Sequence, residues 1–249
     1  MNYFCPNCSV RLSVPKNDKD VLTCKDCNQK YNSLNGYFIF DSSQMVSTKD
    51  YNLDISVLDI ENQQLINRLD RWLFNQLDSI DGKKILSIGC GGGRDIMHLN
   101  KLGAEAYGMD FKYRTTYWSD KGYSNKSFFV SSMDFIPFPN DYFDIILCFG
   151  VIEHVYEDLY FSNNFQMLNK KRNDFLKSIY QILKSDGKLI LTSPNRNFPL
   201  DFQHNYPSLK LYKKWGNRTL MNKWRSIKGK YLSLHLHSPF NKSLTVIER

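Results

Sequence analysis

The clearest alternation of apolar and polar positions lies in the middle of the chain. An apolar run at residues 85–88 breaks into a glycine-rich segment at 89–93, and an amphipathic segment follows at 96–102. This order predicts a strand, a tight turn and a helix. Glycine allows a sharp turn and close approach of a ligand, and a helix start offers free N–H groups. A purely structural turn has the same pattern.

Further apolar runs predict more strands after this segment. Residues 106–110 end in a carboxylate, that of Asp110, and residues 143–148 form a run typical of a buried strand. After a predicted helix, a turn at 185–187 precedes a strand at 188–195. Alternation of strands and helices predicts an α/β protein.

The two ends of this region carry weaker patterns. Apolar side chains recur near helical period at 57–80, which predicts helices leading to the core. Near the C-terminus, residues 231–236 alternate like a strand, and residues 243–249 predict the start of a helix.

Composition fits a globular protein. The chain has 249 residues, 42% hydrophobic and 14% aromatic, enough for one α/β domain and a small appendage. It shows no N-terminal apolar signal run and no stretch of about 18 apolar residues that could span a bilayer. We therefore expect a cytoplasmic protein without a transmembrane segment.

Four of the six cysteines form two CxxC pairs, Cys5 with Cys8 and Cys24 with Cys27, separated by fifteen residues. Two thiolate pairs on tight turns can close a tetrahedron around zinc, and the spacing is that of a zinc ribbon. A disulfide pair or a redox CxxC is the alternative, which two pairs without a signal peptide disfavour. A closed four-cysteine site leaves no position for water, so we expect a structural role.

Five motifs in sequence resemble the class I S-adenosylmethionine-dependent methyltransferases over roughly residues 83–198. These motifs are the glycine segment at 89–93, the strand ending at Asp110, residues 131–134, the strand at 143–148 with residues 150–155, and the strand at 188–195. The resemblance implies a Rossmann-like, mostly parallel sheet with helices on both faces, preceded by the small zinc-ribbon module. It also implies S-adenosylmethionine as cofactor.

This resemblance suggests four segments. They are a zinc-ribbon module at 1–41, a linker with lead-in helices at 42–82, the cofactor-binding core at 83–198, and a basic, aromatic acceptor or partner region at 199–249. The arrangement is also similar to large-subunit rRNA guanine methyltransferases, which carry a zinc site ahead of the catalytic domain.

The same resemblance implies a set of cofactor-binding residues: Gly89, Gly91, Gly93, Asp110, Met133, Asp134, Phe149 and Gly150. In such an enzyme the glycines pass beneath the methionine and ribose portion. Asp110 accepts hydrogen bonds from both ribose hydroxyls, and Asp134 bonds the adenine amino group with Met133 against the ring. The last two residues of the set line the methionine side.

The chain departs from the family at Ser87, where many members carry an acid that helps to hold the methionine amino end. A nicotinamide cofactor is the rival for this kind of fold, and the later motifs disfavour it. For Asp110, the alternative is a helix cap or a surface turn.

A hydroxyl acceptor would benefit from a base near its proton. The candidates are Glu153 and His154 after the fourth strand, and His204 in a loop after the fifth. Arg196 and Asp201 are expected near the acceptor with His204. Capping of the next helix is the alternative for the first pair, and a packed surface loop is the alternative for the second group.

The net charge of +8 lies entirely in the C-terminal region. Residues 201–249 hold ten Lys and Arg side chains against two Asp and Glu, interleaved with aromatic residues. Such a region can bind RNA, a phosphorylated lipid or nucleotide-sugar, or an anionic membrane surface, or form a solvated helical face. The favoured function is methyl transfer to a small-molecule or carrier-linked acceptor. An RNA methyltransferase and a non-catalytic binding module are the alternatives.

Overall fold

The structure is a computed structural model that describes residues 3–13, 21–40, 66–67, 69, 73–74, 77, 79–156, 159, 162, 164–194 and 242–248. Its strands are β1 Val21–Thr23, β2 Lys30–Leu34, β3 Tyr37–Phe40, β4 Lys84–Ile88, β5 Glu105–Asp110, β6 Phe128–Ser131, β7 Phe143–Phe149, β8 Leu183–Pro194 and β9 Lys242–Glu248. Its helices are α1 Arg94–Lys101, α2 Arg114–Asp120 and α3 Phe165–Ile182.

The strands form one nine-stranded sheet in the order β1-β2-β3-β6-β5-β4-β7-β8-β9. β4 lies parallel to β5 on one side and to β7 on the other. The pairs β5–β6 and β3–β6 are also parallel, whereas β1–β2 and β2–β3 are antiparallel. Because the chain leaves β4 in one direction and returns on its other side for β7, a crevice is expected at the carboxyl ends of these strands. The predicted mostly parallel α/β fold is confirmed.

Two buried clusters lie on opposite faces of this sheet, because successive side chains of a strand point to opposite sides. On β4, Leu86 belongs to the first cluster and Ile85 to the second. Helix α3 adds Phe175 to the first cluster. Helices α1 and α2 add Ile96 and Trp118 to the second. Helices therefore cover both faces, as predicted.

The segment ahead of β1 packs into the first cluster instead of standing apart. The ring centroids of Tyr3 and Phe40 are 4.8 Å apart, and the Tyr3 hydroxyl donates a hydrogen bond to the carbonyl of Phe128 at 3.4 Å. The N–H of Phe4 donates to the carbonyl of Pro137 at 2.9 Å. Together with the β3–β6 pairing, these contacts make the N-terminal module part of the main sheet and core.

Two predictions near the C-terminus are wrong. The turn predicted at 185–187 lies inside β8, which begins directly after α3. The helix start predicted at 243–249 is strand β9, which neighbours β8. Thr245, Val246 and Ile247 are β-branched, and such residues favour extended backbone over helix.

The chain divides into two compact units, Met1–Leu191 with Thr245–Arg249, and Thr192–Leu244. The second unit is described only at 192–194 and 242–244, and the site below belongs to the first. Most of 42–82 and 199–249 lies outside the described residues, so those segment boundaries stay predictions. None of the described helices combines the length and apolar character needed to cross a bilayer.

Candidate cofactor and metal sites

The glycine segment after β4 adopts a backbone that other residues rarely adopt. Gly89, Gly91 and Gly93 have φ angles of 68°, 56° and 77°, in the left-handed region that costs glycine little. A Cβ at Gly93 would lie 2.3 Å from Cε1 of Phe128, and one at Gly89 would lie 2.4 Å from Cγ2 of Val151. Both positions therefore require glycine, and the turn keeps a surface of bare backbone.

Asp110 ends β5 beside this turn. Its Oδ2 accepts a hydrogen bond from the N–H of Gly91 at 2.7 Å, and its Oδ1 accepts one from the N–H of Phe111 at 2.7 Å. Nε of Arg114 lies 3.9 Å from Oδ1. Burial raises the pKa of the Asp110 carboxyl, although the Arg114 charge and both amides lower it. Each carboxylate oxygen has a second lone pair, so Asp110 can still accept hydrogen bonds from ligand hydroxyls.

Gly91 is held on its carbonyl side as well. Nε1 of Trp118 in α2 donates to the carbonyl of Gly91 at 3.0 Å. The Trp118 ring packs edge-on against Tyr37 of β3, with 5.3 Å between centroids. At the turn before β3, Nδ2 of Asn35 donates to Oγ1 of Thr115 in α2 at 3.1 Å. The β2–β3 hairpin of the N-terminal module therefore contacts the helix that fixes the glycine turn.

Asp134, after β6, is tied to the loop that follows β7. The hydroxyl of Tyr156 donates to Oδ2 of Asp134 at 2.6 Å, and Nζ of Lys171 lies 5.0 Å from the centre of the Tyr156 ring. Tyr156 has a φ of 55°, which is rare for a bulky side chain. Met133 is partly buried against the first core cluster. The loop after β6 and the loop after β7 are thus joined by side chains, although β5 and β4 lie between these two strands in the sheet.

The loop after β7 holds the predicted acceptor residues. Phe149 is buried at the end of β7, and Gly150 has a φ of 69°. Arg172 of α3 supports the loop because its Nη2 donates to the carbonyl of Glu153 at 2.8 Å. Both carboxylate oxygens of Glu153 are buried without a hydrogen-bond partner in the described part of the chain. The side chain of His154 is exposed.

Asp95 is a buried acid that sequence reasoning did not single out. Oγ of Ser87 donates to Oδ2 of Asp95 at 2.8 Å, across the base of the glycine turn. Asp95 is fully buried in the first turn of α1, and its Oδ1 has no hydrogen-bond partner among the described residues. Burial raises the pKa of Asp95 to about 6, although the Ser87 hydroxyl and the amides of Ile96 and Asp95 lower it.

The four N-terminal cysteines lie on two turns with the same hydrogen-bond pattern. In each turn the first cysteine donates its N–H to the carbonyl five residues later, at 2.8 Å for Cys5 and 2.9 Å for Cys24. The residue four positions later donates back to the cysteine carbonyl, at 2.8 Å from Ser9 and 3.1 Å from Asn28. Ser9 and Asn28 both have a φ of 56°. The two CxxC segments are therefore matched knuckle turns.

The sulfur atoms of Cys5, Cys8, Cys24 and Cys27 all lie within 4.8 Å of one another, with 3.7 Å between Cys5 and Cys27. Four sulfurs bound tetrahedrally at about 2.3 Å from zinc are about 3.8 Å apart. Burial raises the pKa of the Cys5 thiol, but hydrogen bonds, chiefly with the Tyr31 hydroxyl at 3.2 Å, bring it down to about 7. The spacing and the donor set both fit a zinc ion.

A family model described as a methyltransferase domain matches residues 60–237, well over half of the chain. This chain belongs to the methyltransferase-domain family. The ubiquinone biosynthesis O-methyltransferase of Bradyrhizobium diazoefficiens is 28% identical over 126 residues, which cover 49% of this chain and 44% of that protein. The mitochondrial protein of that name from Schizosaccharomyces pombe is 28% identical over 131 residues, covering 50% and 42%. The methyltransferase spans less than half the length of each of these relatives.

One of the solved structures similar to this chain is described as a methyltransferase. A S-adenosylmethionine-dependent methyltransferase from Mesorhizobium loti has a TM-score of 0.45 and 14% identity, over 71% of this chain and 95% of that one. The prediction of a class I methyltransferase from five ordered motifs is confirmed at the level of the family.

Several predicted residues of the methyltransferase come together at the carboxyl ends of the strands. Gly91 and Asp110 are directly hydrogen bonded, and the Asp134 loop is bonded to the loop that carries Glu153 and His154. His204, Arg196, Asp201 and nearly all of the basic segment 201–249 lie outside the described residues.

Proposed function

We propose that this methyltransferase transfers a methyl group from S-adenosylmethionine to a small-molecule or carrier-linked acceptor. The observation that carries the proposal is the Asp110 carboxylate, which is bonded to the glycine turn at Gly91 and keeps lone pairs for a ligand. Bound S-adenosylmethionine supplies an already activated methyl group. The task left to the protein is to hold the cofactor and to align the acceptor with it.

In this proposal the carboxylate of Asp110 accepts hydrogen bonds from both ribose hydroxyls of the cofactor. The backbone of Gly89, Gly91 and Gly93 lies beneath the methionine and ribose portion of the cofactor. A side chain at the first or last of these glycines would clash with neighbouring residues. The bare turn is therefore suited to a ligand that approaches backbone closely.

The remaining cofactor residues are proposed on the neighbouring strand ends. Oδ1 of Asp134 would accept a hydrogen bond from the adenine amino group, because the Tyr156 hydroxyl donates to Oδ2. Met133 would lie against the adenine ring. Phe149 and Gly150, at the end of β7, would line the methionine side.

The names of the relatives support the acceptor class. Two curated relatives are named O-methyltransferases of ubiquinone biosynthesis, so we propose a hydroxyl of a small molecule as the methylated group. The RNA and membrane alternatives rest on the basic segment 201–249, most of which lies outside the described residues. They become outcomes of the test below. A cytoplasmic location is part of the proposal.

His154 is proposed as the base that takes the proton of the acceptor hydroxyl. Its side chain is exposed on the loop after β7, whereas the carboxylate of the neighbouring Glu153 is shielded from solvent. A solvent-facing imidazole can meet an incoming acceptor, and a ring nitrogen of imidazole can accept a proton.

Replacing His154 by glutamine should lower the rate of label transfer from methyl-labelled S-adenosylmethionine by about 10²-fold or more. The cofactor dissociation constant should stay unchanged, because His154 is assigned to the acceptor side. The matched control is His98→Gln, on α1. An unchanged rate for His154→Gln would remove this residue from the chemistry.

The function itself is tested with the purified protein, methyl-labelled S-adenosylmethionine and an extract of cells that lack the protein. We expect the label in the small-molecule and organic-extractable fraction. Label that disappears on ribonuclease treatment would instead support an RNA acceptor, and no transfer to any fraction would contradict the proposal.

A zinc ion bound by Cys5, Cys8, Cys24 and Cys27 completes the proposal. Four thiolate ligands close the coordination sphere, so the ion would stabilise the fold and take no part in methyl transfer. The matched knuckle turns and the sulfur spacing support this assignment.

A further inference from the structure

The carboxylate of Asp95 lacks a counter-charge. It is fully buried, it receives one side-chain hydrogen bond, from Ser87, and it makes no ion pair with any described residue. The other charge that acts on it is Asp110, which is also negative, while Arg114 lies beside Asp110. The amides of Ile96 and Asp95 also donate to this carboxylate, but no positive charge offsets its burial, and burying an uncompensated charge is costly.

Helix stabilisation alone does not account for this placement. An acid in the first turn of a helix interacts favourably with the helix dipole while it stays exposed to solvent. Asp95 instead turns inward, beneath the glycine turn, and contacts Ser87 at the carboxyl end of β4. That edge of a doubly wound sheet is where ligands bind.

The cofactor of this family carries a cation that needs an anion near the glycine turn. S-adenosylmethionine has an ammonium group on its methionine end, and the proposed contacts of Asp110 and Asp134 serve the ribose and the adenine. Ser87 is uncharged and cannot neutralise an ammonium group. Its hydroxyl can accept one hydrogen bond while it donates another, so it can link an ammonium group to the carboxylate behind it.

We propose that Asp95, acting through Ser87, supplies the negative charge that holds the methionine ammonium group of the cofactor. Asp95 is thus a positioning residue that replaces an acid at position 87, with the carboxylate displaced by eight residues along the chain. This inference rests on the proposed binding of S-adenosylmethionine.

The test compares two ligands by calorimetry. S-adenosylhomocysteine keeps the ammonium group, whereas 5′-methylthioadenosine keeps the adenosine and the sulfur but lacks the amino-acid end. Asp95→Asn preserves the shape and an acceptor for Ser87 but removes the charge. We expect it to weaken S-adenosylhomocysteine binding about tenfold or more and to leave 5′-methylthioadenosine binding unchanged.

Three further variants complete the design. Ser87→Ala, which breaks the link, should reduce the preference for S-adenosylhomocysteine, and Ser87→Asp placed in the Asp95→Asn protein should restore it. Asp144→Asn is the matched control, because Asp144 pairs with Lys184 at 2.8 Å near the start of β7, at the opposite end of the strands. It should keep the wild-type preference. The thermal midpoint of Asp95→Asn should not fall, because a buried uncompensated charge is removed.

Three results would overturn the inference alone. The first two are an equal loss of affinity for both ligands in Asp95→Asn, and wild-type affinity for both ligands in that variant. Wild-type protein that binds neither ligand would overturn the proposed function and the inference with it. The third result, a lowered thermal midpoint with retained preference, would assign Asp95 a purely structural role and also overturn the inference.

Discussion

Replacing Cys24 by serine should remove the zinc ion and lower the free energy of unfolding by about 3 kcal/mol or more. Cys24 is fully buried and is one of four sulfurs clustered within 4.8 Å. Zinc binding provides much of the folding free energy of small metal modules. We expect zinc content, measured by mass spectrometry of the purified protein, to fall from one ion per chain to well below one.

The loss of zinc should also weaken cofactor binding. The hairpin formed by β2 and β3 contacts α2 through Tyr37 and Asn35, and α2 holds Gly91 through Trp118. Weakening the module should therefore raise the dissociation constant of S-adenosylmethionine. A cofactor affinity that is unchanged after complete zinc removal would contradict this coupling.

Cys148→Ser provides the control for the metal. Cys148 is a buried core cysteine on β7 outside the cluster, so its replacement should cost stability without changing the zinc content. If Cys24→Ser keeps one zinc per chain, the four-cysteine site is refuted.

Replacing Gly93 by alanine should destabilise the protein by about 2–5 kcal/mol. Alanine at a φ of 77° costs about 1–2 kcal/mol, and its Cβ would lie 2.3 Å from the buried ring of Phe128, which adds about 1–3 kcal/mol of overpacking. Urea denaturation measures the sum. Because the turn must shift to relieve the clash, cofactor affinity should fall as well.

Gly122→Ala separates the two causes. Gly122 has a φ of 65°, and a Cβ there would meet nothing within 4 Å. This variant should show only the conformational cost, so the difference between the two variants reports the contact with Phe128. Equal losses in both would mean that the packing around Gly93 does not matter.

The core strands are predictable from sequence because their pattern is local. β4, β5 and β7 are apolar runs that end at a glycine turn, a carboxylate or a second glycine, and these signals lie within a few residues. The sequence patterns of β8 and β9 are less clear. The Ser-Asp-Gly segment at 185–187 has turn composition yet continues a strand, and residues 243–249 are too few to establish a period.

No pattern of neighbouring residues in the sequence predicts that the N-terminal strands join the main sheet. The pairing of β3 with β6 brings together Ile39 and Val130, ninety-one positions apart in the chain, and the choice of partner depends on the whole fold. Composition and spacing of cysteines therefore predict the metal module but not its place at the edge of the sheet.

The site shows the same limit. The motifs predict which residues reach the strand ends, but not the contacts between them, such as Tyr156 with Asp134 or Trp118 with Gly91. In the sequence alone, Ser87 indicates that the acid usual at this position is absent, and Asp95 indicates an acid in the first turn of a helix. Only the folded chain brings the two side chains to 2.8 Å. The one signal in the sequence is an acid two positions after the glycine turn, which is too common to interpret alone.

The most direct test of the account is calorimetric titration of S-adenosylmethionine into wild-type protein and the Asp110→Ala variant. Loss of two charge-assisted hydrogen bonds to the ribose should raise the dissociation constant about 10²-fold or more, while Asp120→Ala, an exposed acid at the end of α2, should bind like the wild type. Wild-type affinity in Asp110→Ala, or no binding by the wild-type protein, would contradict the assignment of this site to the cofactor.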